Sequence, residues 1–434
     1  MPPGWRFNRR VIEKLFHFVP KPVWLACAAS LPYLPFLSLP LISDTYLQIY
    51  LARQYGAPDG WGNLAGDPLY RCRATSLVLT WLIDALFGAS SQAHKLTSIG
   101  VHVLNVLLVY ALGRWRLIGY RVAFPAALFF ALYEGHQEAV VWVAALPELL
   151  MFLFSLVTLH AWLRWNEGWR WRALATVAFL LALLSKESAV ALVPVLAWVT
   201  WRQAEKGKAA WLALGSYAVV SCVYAALIFA ASRDHLHLND GTFSLKAPVW
   251  LVLPNSALRM LWVWGVAGLC ALGAWEAVRR WARTLEFSVV WIICTLLPYS
   301  FLLYMNRVPS RHTYFAAAGM ALIIGMAFAT VRTRWSAQWV AAALVGLVAV
   351  HNCGYLWVKK FVQYQERAGA TERFLDFARE RQGPVHVRCQ GPYGLDVYRY
   401  AAAVALDRAP DSVQNWDDVS PVSASDAFCE TNHP

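Results

Sequence analysis

The chain has 434 residues, of which 59% are hydrophobic and 15% are charged, and its mean hydropathy is +0.42. This composition excludes a soluble protein built around one core, because so much apolar surface needs lipid. The formal net charge of +12 does not indicate nucleic-acid binding, since the basic residues form small clusters between apolar blocks and are not pooled into one patch.

Eleven apolar blocks predict eleven transmembrane helices. A crossing takes roughly 20 largely apolar residues, and continuous apolar blocks favour helices over a barrel, whose strands would alternate. The predicted spans are 22–42, 94–113, 121–134, 147–164, 172–185, 188–202, 209–231, 257–278, 287–305, 313–331 and 336–356. We therefore predict an all-α polytopic membrane protein, in which the third and fifth spans are short for a full crossing.

The basic clusters predict the orientation of the chain in the membrane. They fall in every second connection between apolar blocks, as the positive-inside rule requires of cytoplasmic loops, beginning with the basic N-terminal segment 1–21. An odd number of spans then places the tail, residues 357–434, outside the cytoplasm. We expect a bacterial-type inner (cytoplasmic) membrane, an uncleaved first span and a membrane domain of residues 22–356.

Two outer segments are long enough to carry structure of their own. The first outer loop, 43–93, contains an apolar stretch at 76–87 that is too short to cross, which predicts an amphipathic helix on the membrane surface. The tail is predicted to contain a helix, a short strand in PVHVRC and a second helix, which together make a small α/β unit. An oxidising compartment would permit a disulfide between its two cysteines, Cys389 and Cys429.

Four stretches of sequence resemble, in order, segments of one class of membrane enzymes. They are DPLYRCRATSLVLTWLIDALFGASSQAHKLTSIGVHVLNVLLVYAL, FALYEGHQEAVVWVAALPELL, LALLSKESAVALVP and SRHTYFAAAGMAL. They are similar to the YRPL, HPxHxEAV, LLSKE and ERYLYLPSxG segments of GT-C-fold glycosyltransferases. The resemblance is strongest to the transmembrane O-mannosyltransferases of the tetratricopeptide-repeat type and to their bacterial relatives. Here, however, Asp44 stands alone where the family has a run of acids, Cys72 replaces the proline of YRPL, and no such repeats occur.

The resemblance implies a fold, a reaction and its substrates. It implies a GT-C-like bundle that transfers a sugar, with inversion, from a polyprenyl-phosphate donor to a protein, glycan or lipid acceptor on the extracytoplasmic face. Such a reaction requires no cofactor, although a divalent metal is compatible with it. The partners expected are the lipid-linked sugar, its acceptor and the bilayer, and no nucleic acid.

Two aspartates are candidates for the catalytic base. Asp44, at the outer end of the first span, matches the catalytic aspartate of the family and would take a proton from the acceptor hydroxyl as that hydroxyl attacks the anomeric carbon. The alternative is an N-cap of the helix that begins at Thr45. Asp67, in GDPLYR, is the reserve candidate, and its alternative role is an Asx-turn before Pro68.

Three basic residues are candidates for binding the donor phosphate, which gains negative charge as the glycosidic bond breaks. Arg71 lies in the YRPL-like motif, whereas Lys186 and Arg311 lie at the outward ends of spans, where topology does not ask for positive charge. The alternatives are snorkelling to lipid headgroups and, for Lys186, an ion pair with Glu187 that holds a bend.

Further residues in the family-like stretches are candidates for contacting the sugar or the acceptor. The set is His136, Glu138, Glu187, His312 and Tyr314. For His136 the alternative is a hydrogen-bonded structural histidine. Trp61 and Trp142 are candidates for stacking on a sugar, and RDHLHLND at 233–240 is a weak candidate for binding a divalent metal.

Two other functions stay open on sequence alone. A transporter or lipid flippase would more often show Gly/Pro-interrupted helices with ionisable groups near mid-membrane, whereas here the ionisable groups gather at the outer ends. A catalytically inactive protein of the same fold would bind a lipid-linked sugar or a partner without transferring anything.

Overall fold

The structure is built almost entirely from helices. It is a computed structural model that describes residues 20–203, 207–231, 242–273, 275–303, 306–334, 338–389, 394–416 and 427–429. The helices are α1 (Lys21–Ser30), α2 (Thr45–Tyr55), α3 (Trp61–Gly66), α4 (Ala74–Phe87), α5 (Ser91–Ala111), α6 (Tyr120–Leu132), α7 (Gln137–Val141), α8 (Leu146–Leu163), α9 (Trp169–Leu183), α10 (Leu192–Arg202), α11 (Gly207–Ala230), α12 (Val249–Leu272), α13 (Trp275–Leu296), α14 (Ala317–Arg334), α15 (Gln338–Gly354), α16 (Phe361–Arg379) and α17 (Leu395–Ala405).

A helix lies at each of the eleven predicted apolar blocks. Within the described ranges, six helical segments are long and apolar enough to cross a membrane: Ser91–Arg114, Val143–Leu163, Gly207–Ala230, Val249–Leu272, Ala277–Phe301 and Ala342–Arg379. Shorter apolar helices lie at Tyr120–Leu132 and Ala317–Val331. The predicted all-α, multi-pass membrane fold is confirmed.

Irregular backbone gathers at one end of the bundle. After α6 the chain forms three short helical pieces, Glu134–His136, Gln137–Val141 and Val143–Ala145, and residues 133–145 are buried or half-buried. Non-helical backbone at membrane depth is tolerated where the protein itself covers it. The irregular turn at 306–313 accepts a hydrogen bond from Gln137 of this segment. It also bonds, as does the turn at 185–191, to Glu148 at the start of α8, and together these segments build one corner of the bundle.

The two short apolar helices, α6 and α14, pack directly against each other. Gly325 of α14 faces the backbone of α6, where the carbonyl oxygen of Val122 and the methyl group of Ala126 leave no room for a side chain. Small residues at such a contact let two helices approach closely, which is the usual source of helix affinity in membranes.

The first outer loop, 43–93, folds as helices that lie on one another. α2 packs on α4 around Leu51, Ala52 and Leu77, and α4 covers the apolar stretch predicted to be helical. On the outside of the pair, Arg53 donates to both carboxylate oxygens of Asp84 (2.8 and 3.1 Å). The loop is therefore a structured unit, and it fixes the position of Asp44 at its start.

The tail forms the small α/β unit expected from the sequence. Three short strands, β1 (Val385–Cys389), β2 (Val413–Asn415) and β3 (Ala427–Cys429), form a parallel sheet in the order β2-β1-β3. α16 and α17 cover the sheet, and their core continues into Tyr46 and Ile49 of α2. Cys429 is disulfide-bonded; its strand neighbour is Cys389, whereas the other six cysteines are free.

Replacing Gly325 with alanine should destabilise the bundle. A Cβ at this position would lie 2.4 Å from the Val122 carbonyl oxygen, so α6 and α14 would have to separate, at a cost of about 1–3 kcal/mol. Gly346→Ala in α15 is the matched control, because a Cβ there meets nothing within 4 Å. Thermal unfolding in detergent should show a lower Tm for Gly325→Ala alone, and equal Tm values for the two variants would contradict the close contact.

Candidate active site

One cavity brings together five of the residues predicted from sequence. Its volume is 690 Å³, which falls in the range of roughly 300–1,000 Å³ usual for small-molecule sites. The predicted residues that line it are Asp44, Lys186, Glu187, Arg311 and His312. Arg73, Glu148 and Tyr299 lie among them and complete a polar half.

The other half of the cavity is apolar. Tyr224, Ile228 and Phe229 of α11 form one part of this wall, and Phe243 and Leu302 form another. The last two residues are joined by an isolated antiparallel bridge, which holds the chain before α12 against the chain after α13. A cavity with one polar and one apolar half suits a ligand with a charged head and a hydrocarbon chain.

Asp44 lies in the polar half, directly before α2. The preceding residue, Ser43, has a φ of 37°, a left-handed conformation that costs a non-glycine residue free energy and often marks a functional position. Asp44 occupies the N-cap position of α2, yet its side chain makes no capping hydrogen bond. Burial raises the pKa of this carboxyl, while the positive charges of Arg311 and Arg367 act in the opposite direction. Such a carboxylate holds a proton more tightly than an exposed aspartate does, as suits a general base.

A buried carboxylate holds the floor of the polar half together. Glu148, at the start of α8, is 1% exposed and accepts hydrogen bonds from the Lys186 ammonium group and the Tyr299 hydroxyl (2.6 Å). His312 Nδ1 lies 2.6 Å from the same carboxylate, and its ring stacks on Tyr299 with centroids 4.6 Å apart. Burial and the neighbouring Lys186 charge lower the pKa of His312 to about 4, so its imidazole is neutral at pH 7.

A second ion pair borders the cavity at the YRPL-like motif. The Arg73 guanidinium donates to both carboxylate oxygens of Glu187 (2.5 and 3.3 Å). The adjacent Lys186 and Glu187 therefore pair with different partners and not with each other. Arg71, the cation predicted from this motif, lies outside the cavity lining and donates to the carbonyl of Leu227 (2.8 Å), which ties the outer loop to α11.

Arg311 is held at the cavity by a carboxylate and an aromatic ring. Its guanidinium pairs with Glu138, which also accepts from the Arg311 backbone N–H (3.2 Å) and the Ser310 hydroxyl (2.8 Å). The guanidinium lies over the Trp142 ring, 5.0 Å from its centroid, and Arg367 lies over the same ring at 5.8 Å. Burial alone would raise the pKa of Glu138, but the charge of Arg311 and the hydrogen bonds outweigh it and lower that pKa. Glu138 thus stays charged and positions Arg311 without itself lining the cavity.

Asp67 lies away from the cavity and closes a turn. One carboxylate oxygen accepts from the backbone N–H groups of Leu69 (2.8 Å) and Tyr70 (2.9 Å), and the other accepts from the Tyr55 hydroxyl (2.9 Å). This is the Asx-turn that the sequence analysis kept as the alternative for this residue.

His136 and Tyr314 are buried behind the cavity. The His136 ring is fully buried against Phe130 and Tyr314, with centroids 4.2 and 4.5 Å apart, and burial lowers its pKa well below the usual value. The Tyr314 hydroxyl lies 2.7 Å from His102 Nδ1. Both side chains support the irregular segment after α6 from within the core.

Three residues that complete the polar half of the cavity were not among the predicted site residues. Glu148 did carry a signal, because an ionisable residue at the start of an apolar span needs a partner. Arg73 stands two positions from Arg71 in the same motif, and Tyr299 has no feature that separates it from the other tyrosines. Of the two tryptophans considered for stacking, Trp142 lines the cavity, whereas Trp61 donates to the Gly56 carbonyl (3.0 Å).

The residues that the structure describes form no cluster of three or more His, Cys, Asp or Glu side chains that could hold a metal. The candidate metal sequence RDHLHLND lies outside the described residues. At the cavity, Glu148 and His312 bond to each other beside Lys186, whose charge would repel a divalent cation. The donor set present at Glu148 therefore does not fit a metal.

Comparison with solved structures identifies the fold. The oligosaccharyltransferase of Archaeoglobus fulgidus, described in complex with zinc and sulfate, aligns with a TM-score of 0.50 and 13% identity over 91% of this chain and 62% of that one. The archaeal enzyme in complex with an inhibitory peptide and a dolichol-phosphate aligns with a TM-score of 0.51 and 14% identity, over 94% and 65% of the two chains. The protein is thus a multi-pass membrane protein of the GT-C fold class, as its motifs predicted.

Comparison with curated proteins points in the same direction. Over 157 residues, 35% of this chain, the sequence is 29% identical to an O-mannosyl-transferase of Caenorhabditis elegans. That stretch spans 21% of the relative, and the chain aligns with less than two thirds of the archaeal enzymes. No family model matches the chain. The resemblance to GT-C-fold glycosyltransferases and O-mannosyltransferases that the motifs predicted is confirmed.

Glu148→Gln should strongly destabilise the protein. The substitution removes the negative charge beside the buried Lys186, and breaking a buried ion pair costs about 3–5 kcal/mol. Asp376→Asn is the matched control, because Asp376 pairs with Arg379 in solvent, at 70% exposure, and such pairs contribute at most about 1 kcal/mol. In thermal unfolding, Glu148→Gln should lower Tm, and the double variant Glu148→Gln/Lys186→Met should regain part of the loss. A Glu148→Gln variant as stable as the parent would show that the pair does not hold the cavity together.

Proposed function

We propose that this protein is an inverting glycosyltransferase that moves a sugar from a polyprenyl-phosphate donor to a protein, glycan or lipid acceptor on the extracytoplasmic face of the membrane. One observation carries the proposal: a carboxylate, Asp44, lines the same cavity as three cations, Arg73, Lys186 and Arg311, opposite an apolar wall. The GT-C fold and the partial similarity to an O-mannosyl-transferase support the reaction class.

The proposed donor matches both halves of the cavity. Its phosphate would bind near Arg311 and Lys186, and its prenyl chain would follow the apolar wall at Tyr224 and Phe229. Each cation already has a carboxylate partner, but a guanidinium has five N–H donors, and the pairing of Arg311 with Glu138 leaves several of them free to meet phosphate oxygens. Cations fixed before the substrate arrives stabilise a departing phosphate at little reorganisation cost.

Asp44 would act as the base of a single displacement. Its carboxylate takes the proton of the acceptor hydroxyl, whose oxygen forms a bond to the anomeric carbon from the face opposite the phosphate. The bond between that carbon and the phosphate oxygen breaks through an oxocarbenium-like transition state, and the electron pair leaves with the polyprenyl phosphate. Arginine and lysine neutralise the new charge, so the step needs no metal ion.

The acceptor would approach from the side of the first outer loop. The peptide and the dolichol-phosphate named for the archaeal oligosaccharyltransferase are ligands of that protein, and they fit a polyprenyl-phosphate donor and a protein acceptor here as well. Basic residues gathered at the other end of the bundle, among them Arg114, Arg164, Arg202 and Arg283, support an extracytoplasmic position for the cavity under the positive-inside rule.

Asp44→Asn should abolish sugar transfer while the protein stays folded. Loss of a general base lowers rates by about 10²–10⁴-fold, and the Asp44 side chain makes no capping bond whose loss would unfold α2. Asp67→Asn is the matched control, since it changes the other predicted carboxylate, which lies away from the cavity. The measurement is transfer of labelled sugar, in purified membranes, from an extracted polyprenyl-phosphate donor fraction to endogenous acceptors.

Sugar transfer, donor binding and lipid movement, measured on the parent and these variants, separate the alternatives. Transfer that survives Asp44→Asn but falls with Asp67→Asn would move the base to the reserve aspartate. A parent protein that binds the donor without transferring sugar would be an inactive binding protein, and movement of labelled lipid across the bilayer, unchanged in Asp44→Asn, would indicate a flippase.

The rate of transfer should depend on pH through Asp44. Asp44 works as a base only when it is deprotonated, and burial raises its pKa. On acidification kcat/KM should therefore begin to fall at a pH above the pKa of an ordinary aspartate, about 3.9. Arg367 opposes this shift, so Arg367→Gln should move the acid limb upward, by up to about one pH unit. Arg367 lies outside the cavity lining, and donor contacts should therefore persist.

Arg379→Gln is the control for this profile. Arg379 lies on α16, as Arg367 does, and pairs with the exposed Asp376. Its charge is not among the causes that shift the pKa of Asp44. Its profile should overlay that of the parent. An acid limb that stays fixed in Arg367→Gln would mean that another group titrates.

A further inference from the structure

A second, larger cavity opens at the opposite end of the bundle from the candidate active site. Its volume is 1230 Å³. α8 runs from Glu148 at the active site to Arg164 at this cavity, and α13 runs from Arg283 here towards Tyr299 there. At 1.5 Å per residue each path is roughly 20–25 Å long, so the two cavities lie near opposite faces of the membrane.

The wall of this cavity is strongly cationic. Among the described residues, seven arginines and one glutamate line it. The arginines come from four separate parts of the chain, represented by Arg114 after α5, Arg164 after α8, Arg202 at the end of α10 and Arg283 in the first turns of α13. The positive-inside rule accounts for basic residues in each of these parts, but it does not require that all four converge on one cavity.

Most of this charge lacks a counter-charge in the part of the chain that is described. Arg202 pairs with Glu286 and the charge of Arg283 acts on the same carboxylate, whereas no ion pair is found there for Arg114, Arg116 or Arg279. Like charges gathered in a cavity repel one another and favour the binding of an anion that neutralises them.

Tryptophans place the cavity at headgroup depth. Trp115, Trp198, Trp201 and Trp281 line it together with the arginines. Tryptophan concentrates at the boundary between hydrocarbon and headgroups, and basic pockets between transmembrane helices at that depth are suited to phosphate-rich lipid heads. The Trp198 Nε1 atom donates to Glu286 (2.8 Å), the carboxylate that also binds Arg202, so ring and cation are fixed together.

We propose that this cavity is a binding site for a phosphate-bearing anion with more than one phosphate group, supplied as the headgroup of a membrane phospholipid. The volume admits a double headgroup, the unpaired arginines neutralise its charge, and the tryptophans lie beside its glycerol backbone. The site is separate from the sugar-transfer chemistry and does not depend on it.

The test compares lipid binding by the parent and by two double variants. Purified full-length protein is stripped of lipid in detergent and titrated with cardiolipin or phosphatidylcholine, and retained lipid is counted by native mass spectrometry. The parent should retain cardiolipin in preference to phosphatidylcholine. Each arginine near an anionic lipid contributes about fivefold in affinity, so Arg279→Gln/Arg283→Gln should bind cardiolipin about 30-fold more weakly.

Arg121→Gln/Arg170→Gln is the matched control. It removes two arginines that are exposed and do not line the cavity, and it should bind cardiolipin as the parent does. Equal losses in the two double variants, or no cardiolipin preference in the parent, would overturn the proposal. Arg279→Lys/Arg283→Lys, which keeps the charge, should retain most of the binding and guards against loss through misfolding.

Inorganic pyrophosphate identifies the source of the phosphates. If it displaces cardiolipin only at concentrations far above those of the lipid, the ligand is a lipid headgroup, as proposed. If it binds the stripped protein as tightly as cardiolipin does, and this binding is lost in Arg279→Gln/Arg283→Gln, the site takes a free phosphate compound and the lipid assignment is wrong.

Discussion

The geometry of the candidate active site depends on one buried carboxylate. Glu148 bonds with side chains from two separate parts of the chain: Lys186 from the turn after α9, and Tyr299 and His312 from the connection between α13 and α14. These turns have irregular backbone, so helix hydrogen bonds do not fix their positions. A fully desolvated charge is stable only when its partners have good geometry. The partners therefore hold Glu148 in place, and Glu148 holds the partners in place. The same bonds that satisfy Glu148 therefore decide where Arg311, next to His312, faces the cavity.

Each of the three cations in the cavity pairs with a carboxylate, and this pairing limits how tightly the cavity would hold a phosphate. A cavity lined with unpaired arginines would bind any phosphate tightly, including the polyprenyl phosphate that remains after transfer. Here Glu138, Glu148 and Glu187 neutralise Arg311, Lys186 and Arg73, so a phosphate gains from directed N–H donors more than from a net positive field. Interactions that strengthen only as charge develops raise kcat without holding the product. The site proposed here has the composition that this principle favours.

The sequence predicted the membrane fold well, because composition and apolar block length alone decide that helices span lipid. It also predicted much of the lining of the cavity, since Lys186 and Arg311 are cations at span ends where topology does not ask for positive charge, and Asp44 matches the catalytic aspartate of the family that the motifs resemble. It could not distinguish Arg71 from Arg73, because two residues separated by one position differ only in the direction that a short 3-10 turn gives to their side chains. Nor could it choose between catalysis and an Asx-turn for Asp67, because both roles need the same side chain and only the local backbone separates them.

The position of Asp44 results from constraints on both sides of it in the chain. Before it, the buried Lys95 ammonium group donates to the carbonyls of Phe36 (3.1 Å), Leu39 and Pro40 (3.0 Å), which ends the first span at a fixed depth. After it, α2 is held by the tail, where the Tyr46 hydroxyl donates to Glu372 (3.3 Å) and Ile49 enters the core of the α/β unit. A strained residue such as Ser43 persists only when the surrounding structure holds the backbone on both sides of it. The Lys95 hydrogen bonds and the contacts between α2 and the tail do so. The tail, none of whose described residues lines the cavity, thus contributes to catalysis in the proposed mechanism by holding the helix that presents the base.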